Sequence, residues 1–249
     1  MLIIPAIDIK DGKCVRLKQG RMDKETVYAD SPLDMAKKWS QMGARLIHLV
    51  DLDGAVLGRP ANKNIIEDII KNVGTPIQIG GGIRDMDLID SYFGIGAERV
   101  VLGTSVIGNP SLLKEACNRY PERIAVGIDA VDEMVAIDGW KTVTEKKAID
   151  LAREMEGLPL WAIIYTDINR DGMLIGPNID GIAEMARNSR IPVIASGGVS
   201  GIDDIKRLNG IRPEIKGVII GKALYSGSLD LREAITLAEG DTSGKKAIQ

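Results

Sequence analysis

Eight short apolar runs, spaced about 30 residues apart, constrain the fold of this chain more than any other feature of its sequence. They are LIIPAI (2–7), RLIHLV (45–50), PIQI (76–79), RVVL (99–102), RIAVGI (123–128), LWAIIY (160–165), IPVIA (191–195) and GVII (217–220). Continuous hydrophobicity is typical of strands buried on both faces of a parallel sheet. Helical patterns separate the runs, so the sequence predicts an α/β fold, a (β/α)8 TIM barrel, with an open doubly wound sheet as the alternative.

Capping residues mark where several of the intervening helices begin. Ser31-Pro32 and Asn109-Pro110 each place an N-cap residue before a proline, and Ser200-x-x-Asp203 resembles a capping box. The 249 residues are 45% hydrophobic, which suits one large α/β core. We expect a single barrel domain over residues 1–240, followed by a polar, frayed tail over residues 241–249.

The second half of the chain repeats motifs of the first half at an offset of about 120 residues. The matching pairs, in the same order in each half, are PAIDIKDG (5–12) with VGIDAVDE (126–133), VDLDGAVLGRPAN (50–62) with TDINRDGMLIGPN (166–178), IQIGGGI (77–83) with VIASGGV (193–199), and VVLGTSVI (100–107) with VIIGKALY (218–225). Such a repeat predicts two duplicated half-barrels related by an approximate twofold axis. Equivalent motifs then face each other across one mouth of the barrel.

Composition excludes several classes of function. A net charge of −3 and 4% aromatic residues disfavour nucleic-acid binding. The only histidine, His48, leaves no basis for a histidine metal site or a Ser-His-Asp triad. We interpret His48 itself as a hydrogen-bonded core residue. Cys14 and Cys117 are far apart and are expected to be reduced thiols.

The sequence carries no sign of export or membrane insertion. Met1 leads directly into the first apolar run without a basic region or cleavage signal, and no apolar run reaches about 18 residues. We therefore expect a cytoplasmic protein with no membrane partner.

Glycine-rich turns follow four of the predicted strands and are candidate phosphate sites. Backbone N–H groups of such a turn, together with the dipole of the next helix, favour an anion. One set is Gly81, Gly82, Gly103 and Thr104; the other is Ser196, Gly197, Gly198 and Gly221. A single glycine turn can equally be a tight connection, but the symmetric pair predicts a small-molecule ligand with a phosphate at each end. Bulk at Gly81 or Gly197 is then expected to weaken ligand binding more than stability.

Carboxylates lie between the two candidate phosphate sites. Asp8 ends the first strand and Asp129 ends the fifth, half a barrel apart, so they suit a base and an acid on opposite walls. Asp171, beside Gly172 after the sixth strand, lies on a loop that can reach the mouth. Asp51 and Asp167 are interpreted as loop organisers.

Two further segments have open interpretations. RLKQGRMDK (16–24) is by default a solvated loop, although its cations, Arg16 among them, would suit a lid over an anionic ligand. Trp140 either packs within its loop or stacks on a heterocyclic ligand.

Taken together, these motifs closely resemble the ribotide isomerases of histidine biosynthesis. The resemblance is carried by IIPAIDIKDGKCVRLKQG (3–20), HLVDLDGA (48–55), IGGGIR (79–84), VVLGTSVI (100–107), TDINRDGMLIGPN (166–178), ASGGVS (195–200) and GKALY (221–225). It implies an Amadori rearrangement that converts a bisphosphorylated aminoimidazole carboxamide ribonucleotide from aldose to ketose. No cofactor or metal is implied.

The resemblance also implies residue roles. Asp8 matches the base, Asp129 matches the usual acid, Asp171 of the RDG motif is the competing acid, and Thr166 supports the loop after the sixth strand. We favour Asp129 narrowly as the acid.

Two other functions remain open as alternatives. The related cyclase subunit of imidazole glycerol phosphate synthase typically begins with PCLDV and carries a catalytic lysine in the next loop, whereas PAIDIKDG (5–12) favours the isomerase. A sugar-phosphate sensor would not need opposed aspartates. Some relatives also isomerise phosphoribosylanthranilate, and the sequence leaves that second activity open. We expect a monomer or a weak homo-oligomer.

Overall fold

The computed structural model describes residues 1–103 and 105–240, except for the side chains of Met22, Asp23 and Ser105. Thr104 and residues 241–249 lie outside the described residues. The phosphate role expected for Thr104 and the frayed tail therefore stay predictions.

Eight strands of the described chain form a closed parallel barrel. The twelve strands in this part of the chain are β1 (Leu2–Lys10), β2 (Lys13–Lys18), β3 (Arg21–Ala29), β4 (Ile47–Asp51), β5 (Ile77–Gly80), β6 (Arg99–Leu102), β7 (Ile124–Val131), β8 (Met134–Ile137), β9 (Thr142–Lys147), β10 (Ala162–Asp167), β11 (Val193–Ser196) and β12 (Gly217–Ile220). The barrel order is β1-β4-β5-β6-β7-β10-β11-β12, and β12 returns to pair with β1, with Leu2 opposite Gly217. The predicted (β/α)8 barrel is confirmed, and the open sheet is wrong.

Helices separate the barrel strands and cover them from outside. In the described residues they are α1 (Pro32–Gln41), α2 (Leu52–Leu57), α3 (Lys63–Asn72), α4 (Met86–Gly94), α5 (Ser105–Gly108), α6 (Pro110–Arg119), α7 (Ala148–Glu154), α8 (Ile179–Asn188), α9 (Ile202–Asn209), α10 (Lys222–Ser226) and α11 (Leu231–Glu239). None of these helices is long and apolar enough to span a bilayer.

Two of the three predicted helix starts are confirmed by their caps. The Ser31 hydroxyl accepts a hydrogen bond from the Asp34 N–H at 3.1 Å, and the Asn109 side chain accepts one from the Leu112 N–H at 3.2 Å. The expected Ser200–Asp203 capping box is wrong. Gly201 is the N-cap residue of α9, and the backbone and hydroxyl of Ser200 instead donate to Asp204 one turn further on.

The barrel interior contains a small apolar layer beneath a polar one. Ile4 and Ala6 of β1 and Ala125 of β7 belong to the interior cluster. Because side chains alternate along a strand, Asp8 and Asp129 lie on this same inward face, nearer the C-terminal ends of the strands. The larger apolar cluster lies between the strands and the helices and holds the barrel wall in place.

A β-hairpin extends each half-barrel above its first strand. β2 pairs with β1, Asp8 opposite Val15, and continues into β3; β8 pairs with β7, Ala130 opposite Val135, and continues into β9. The interpretation of residues 16–24 as a loop is wrong over most of its length, because the segment is formed by the end of β2 and the start of β3, which pair with each other. Leu17 is buried, whereas Lys18, Arg21 and Lys24 are exposed. The hairpins occupy equivalent places in the two halves, as the internal repeat predicts.

Candidate active site

Three acidic side chains meet at the mouth of the barrel, formed by the C-terminal ends of its strands. Asp8 and Asp129 come from the opposed strands β1 and β7, and Asp171 comes from the loop after β10. Asp171 is close enough to raise the pKa of both other carboxyls by charge repulsion. The predicted cluster of candidate acid–base residues is thus brought together in one place.

Asp8 is buried and paired with a cation of the first hairpin. Arg16, on β2, places Nη1 2.8 Å from Asp8 Oδ2, and only 16% of the Asp8 side chain is exposed. Burial raises the pKa of Asp8 to about 6, although the Arg16 charge acts in the opposite direction. A carboxylate with this pKa can accept a proton near neutral pH.

Asp129 receives hydrogen bonds from two residues of its own half-barrel. Trp140 Nε1 donates to Asp129 Oδ2 at 2.8 Å, and the Thr166 hydroxyl is also bonded to this carboxyl. Thr166 is buried and lies directly opposite Asp129 in the strand register. Burial raises the pKa of Asp129, and the two hydrogen bonds oppose that rise.

Trp140 lies where the two hairpins approach each other. A side chain on Gly20, in the turn between β2 and β3, would place its Cβ 2.2 Å from Trp140 Cε3. Gly20 has a φ of 66°, which also favours glycine. Trp140 thus contacts the other hairpin and Asp129 as well as its own loop, and its stacking on a ligand stays a prediction.

Asp171 is held by backbone contacts on both sides of its loop. Its N–H donates to the Asp167 carbonyl at 3.1 Å, and its carbonyl accepts from the Gln19 N–H of the first hairpin at 3.2 Å. Burial raises the pKa of Asp171, whereas the charges of Arg16 and Lys222 lower it. Lys222 Nζ donates to the Gly172 carbonyl at 2.7 Å, which holds this cation beside the loop.

The second candidate phosphate site forms one small pocket. Its walls include Arg16, Asp171, Gly172, Ser196, Gly197, Gly198, Gly221 and Lys222. Gly197 and Gly198 have φ values of 91° and 88°, so the turn after β11 requires glycine. This pocket joins the predicted anion-binding turns to the candidate catalytic loop.

The first candidate phosphate site is built from the equivalent turns, with a tighter constraint on its glycines. A Cβ on Gly81 would lie 2.2 Å from the Asp51 carbonyl oxygen, and one on Gly82 would lie 2.3 Å from the Gly54 carbonyl oxygen. Bulk at Gly81 would therefore also lower stability, and the expectation that it weakens ligand binding more than stability stays a prediction. At Gly197 a Cβ would lie 3.0 Å from the Asp167 carbonyl oxygen, at a φ of 91°, so the same holds there. Gly103, in contrast, has open space where a Cβ would lie.

Asp51 organises its loop, as the sequence indicated. It is fully buried and accepts hydrogen bonds from the backbone N–H groups of Gly54, Ala61 and Asn62 and from the Asn62 amide. In the other half-barrel, the Asn178 amide donates to Asp167 at 2.8 Å. The two pairs occupy equivalent positions of the repeat.

His48 is a core residue within the barrel. The Gln78 amide nitrogen lies 2.9 Å from His48 Nδ1, and burial, assisted by the charge of Arg16, lowers the pKa of His48 to about 3. A neutral ring with Nδ1 as acceptor satisfies this contact. Over the described part of the chain, no group of three or more His, Cys, Asp or Glu side chains could hold a metal ion.

Comparison with known proteins decides the family. Residues 2–230 match the family described as histidine biosynthesis protein. The chain belongs to this family. Three relatives carry the name 1-(5-phosphoribosyl)-5-((5-phosphoribosylamino)methylideneamino) imidazole-4-carboxamide isomerase. That of Geotalea uraniireducens is 53% identical over 96% of this chain and 98% of its own, and that of Syntrophotalea carbinolica is 54% identical over 96% and 99%. That of Desulfosudis oleivorans is 51% identical over the full length of both.

Lys222, a charged residue at the mouth of the barrel, was not predicted from the sequence. Lys222 follows Gly221 at the start of α10 and lines the second pocket. The repeat contained a signal for it, because Lys222 is the counterpart of Thr104 in the pairing of VVLGTSVI with VIIGKALY. The ion pair between Arg16 and Asp8 had no comparable signal, since it depends on the hairpin that places Arg16 beside the barrel.

Proposed function

We propose that this chain is an aldose–ketose isomerase that catalyses the Amadori rearrangement of N-(phosphoribosylformimino)-aminoimidazole carboxamide ribonucleotide. The observation that carries the proposal is the placement of buried, opposed Asp8 and Asp129 between two glycine-rich turns in a barrel of this family. The names of the relatives support the same reaction. The substrate's two phosphates match the two candidate sites in number and symmetry.

In the proposed mechanism an acid first donates a proton to the ribose ring oxygen. The bond from that oxygen to C1 breaks, and the nitrogen on C1 forms a protonated imine. Asp8 then removes the proton on C2, which gives an enolamine. Loss of the hydroxyl proton at C2 and protonation of C1 yield the aminoketose, so the reaction is an isomerisation with no net proton change. The pKa of about 6 at Asp8 suits this step near neutral pH.

Asp129 is the first candidate for the acid and Asp171 is the second. Asp129 lies on the wall opposite Asp8, which supports a proton donor on the other side of the ribose. Asp171 lies on a loop in contact with the first hairpin and could close over the substrate. Burial raises the pKa of both carboxyls, so the direction of the shift is the same for the two candidates. Thr166 would orient Asp129 in either scheme.

The remaining site residues are proposed to bind and cover the substrate. Backbone N–H groups at Gly81, Gly82, Gly103 and Thr104 would hold one phosphate, and those at Ser196, Gly197, Gly198 and Gly221 would hold the other. Gly172, a proposed substrate-binding residue, lets its loop pack closely against the first hairpin, because a Cβ there would lie 2.6 Å from the Leu17 carbonyl oxygen. Arg16 would contribute charge, and Trp140 would stack on the imidazole.

We also propose the cellular setting of the reaction. The free thiols of Cys14 and Cys117 support a reducing compartment such as the cytoplasm. The proposed partners are the small-molecule substrate and, at most, a weakly associated second copy; nucleic acid is not among them.

An assay of the purified chain alone tests the proposed function. We expect the absorbance change of the aldose-to-ketose conversion when the ribotide is added without ammonia, a glutaminase subunit, a metal or a cofactor. Binding without conversion would favour the sensor, and turnover that depends on the ketose and ammonia would favour the cyclase. Either result would overturn the proposal. A parallel assay with phosphoribosylanthranilate decides whether the second activity exists.

A further inference from the structure

The guanidinium of Arg16 occupies the second candidate phosphate site. A Cβ on Gly221 would lie 1.8 Å from Arg16 Nη2 and 2.0 Å from Cζ, so the guanidinium rests directly on the glycine that follows β12. Arg16 also lines the pocket formed by Ser196, Gly197 and Gly198. A phosphate held by the N–H groups of these turns would meet the guanidinium as its first neighbour.

The free volume of the pocket is about 20 Å³ with Arg16 in this position, which is enough for about one water molecule. A phosphate that contacts Gly221 directly would need the place that the guanidinium takes. Arg16 lies on β2 of the first hairpin, whose pairing with β1 involves Lys13, Cys14 and Val15, so the Arg16 side chain can leave Gly221 without breaking a pair of the barrel strands.

The contact between Arg16 and Asp8 is close but poorly satisfied. Nη1 lies 2.8 Å from Asp8 Oδ2, yet this buried nitrogen makes no aligned hydrogen bond. The other charged and polar groups that face Arg16 come from four further elements: His48 of β4, Asp171 of the loop after β10, Tyr225 of α10 and Tyr28 of β3. A phosphate dianion would offer the guanidinium more charge and better-directed acceptors than one carboxylate does.

We propose that Arg16 is a positioning residue that exchanges Asp8 for a substrate phosphate, so that filling the second phosphate site releases the base. The proposal rests on the proposed function for the identity of the base and extends it to how the base is activated. In the free chain, Arg16 keeps Asp8 in an ion pair and makes it a weaker base. With the phosphate bound, the guanidinium pairs with the phosphate, and Asp8 is free to take the C2 proton.

The exchange predicts a change in the pKa of Asp8 that can be measured without turnover. We expect saturating inorganic phosphate to raise that pKa by about 1 unit, the low end of the effect of removing an adjacent arginine from a carboxylate, so that Asp8 can still accept a proton near neutral pH. The measurement is carbon NMR of the chain labelled at aspartate carboxyls, with Asp8→Asn used to assign the signal. An unchanged or lowered pKa would overturn the proposal.

Variants distinguish the movement of Arg16 from a direct effect of the phosphate charge on the pKa of Asp8. In Arg16→Gln the pKa of Asp8 should already be raised without phosphate, and phosphate should add little to it. In Gly221→Ala the new methyl group should push the guanidinium away from Gly221 and raise the pKa of Asp8 without phosphate. This variant provides the test if Arg16→Gln folds poorly. Lys13→Gln, at a solvent-exposed lysine on the same strand, is the matched control and should behave as the unaltered chain. If phosphate raised the pKa of Asp8 equally in Arg16→Gln and in the unaltered chain, the exchange would be refuted.

Kinetics provide an independent readout. The pH dependence of kcat/KM reports the base in the free enzyme, and that of kcat reports it in the complex. We expect the acidic limb of kcat to lie at higher pH than that of kcat/KM, and the two limbs to coincide in Arg16→Gln. Coincident limbs in the unaltered chain would contradict the exchange. A chain that titrates as expected with phosphate but turns over no ribotide would refute the proposed function and leave the exchange standing.

Discussion

Asp8 shows how burial and one neighbour adjust a single carboxyl. Burial raises its pKa to about 6, and Arg16 limits the rise. We expect Asp8→Asn to lower kcat at least about a hundredfold, because proton transfer by a positioned group contributes at least that much. Substrate binding, measured by calorimetry, should largely survive. Near-normal turnover by a correctly folded variant would show that Asp8 is not the base.

The choice between Asp129 and Asp171 is also decided by single substitutions. A general acid must be protonated, so its loss removes the alkaline limb of the kcat profile. We expect Asp129→Asn to remove this limb and Asp171→Asn to keep it, in pH–rate profiles recorded under identical conditions. The reverse result would make Asp171 the acid and leave Asp129 as a residue that orients the substrate.

His48 makes the stability of the fold depend on pH. Its pKa falls from 6.5 to about 3 on folding, so the folded state excludes a proton that the unfolded chain binds below pH 6.5. Stability from this residue is present above pH 6.5 and is lost as the pH falls toward 3. We expect urea unfolding to show a loss of about 2 kcal/mol between pH 7.5 and pH 5 from His48.

The control for this prediction is His48→Gln, which keeps an acceptor for the Gln78 amide and contains no group that titrates in this range. All other residues contribute equally in both proteins. The difference between the two pH dependences therefore belongs to His48. Identical dependences would show that the ring is not held neutral by the fold.

At the scale of elements, the turns between strands and helices differ in whether a side chain would fit in place of their glycines. Gly81 and Gly82 contact the backbone of the β4–α2 connection, whereas Gly103 faces open space. We expect Gly103→Ala to weaken substrate binding about tenfold while changing the free energy of unfolding by less than about 0.5 kcal/mol. Calorimetric titration and urea unfolding measure the two effects.

Gly74→Ala is the matched control for Gly103→Ala. Gly74 also has open space around a Cβ and precedes β5, at the opposite end of the barrel from the mouth. It should change neither binding nor stability. Equal binding by Gly103→Ala and the unaltered chain would remove Gly103 from the proposed phosphate site.

The elements also show what a sequence can predict here and where it fails. All eight barrel strands were predicted within a few residues, because strands buried on both faces are continuously apolar. The hairpin strands were not, since β3 and β9 carry mostly exposed polar side chains and only part of β2 is buried. Their signal lay in the turns: Asp11-Gly12 and Gln19-Gly20 both adopt positive φ, as tight hairpin turns require.

The part of the candidate site that lies at the ends of the barrel strands was predictable from the sequence. Asp8, Asp129, Ser196 and Gly221 lie at strand ends, and the strand pattern alone predicts their common position. Contacts made through the hairpins were not predictable. Trp140 reaches Asp129, and Arg16 reaches Gly221, only because each hairpin folds back over the mouth.

For the whole molecule, the repeat predicts two anion sites related by the barrel's approximate twofold axis. We expect crystals soaked in sulfate to show one anion at the turns after β5 and β6 and another at the turns after β11 and β12. The first should bind readily, whereas the second must displace Arg16 and should fill at higher sulfate concentration. Anion density at only one site, at any concentration, would refute the symmetric ligand.

Closure of the barrel by the first and last of its strands has a consequence for how the protein is made. β1 emerges from the ribosome early, but one of its two barrel neighbours, β12, follows about 200 residues later. At synthesis rates of about 5–20 residues per second, the part of β1 that pairs with β12, from Leu2 to Pro5, waits roughly 10–40 s for its partner. An unpaired strand is a template for association with other chains. The demand on chaperones should therefore be greatest during translation and should end when β12 is released.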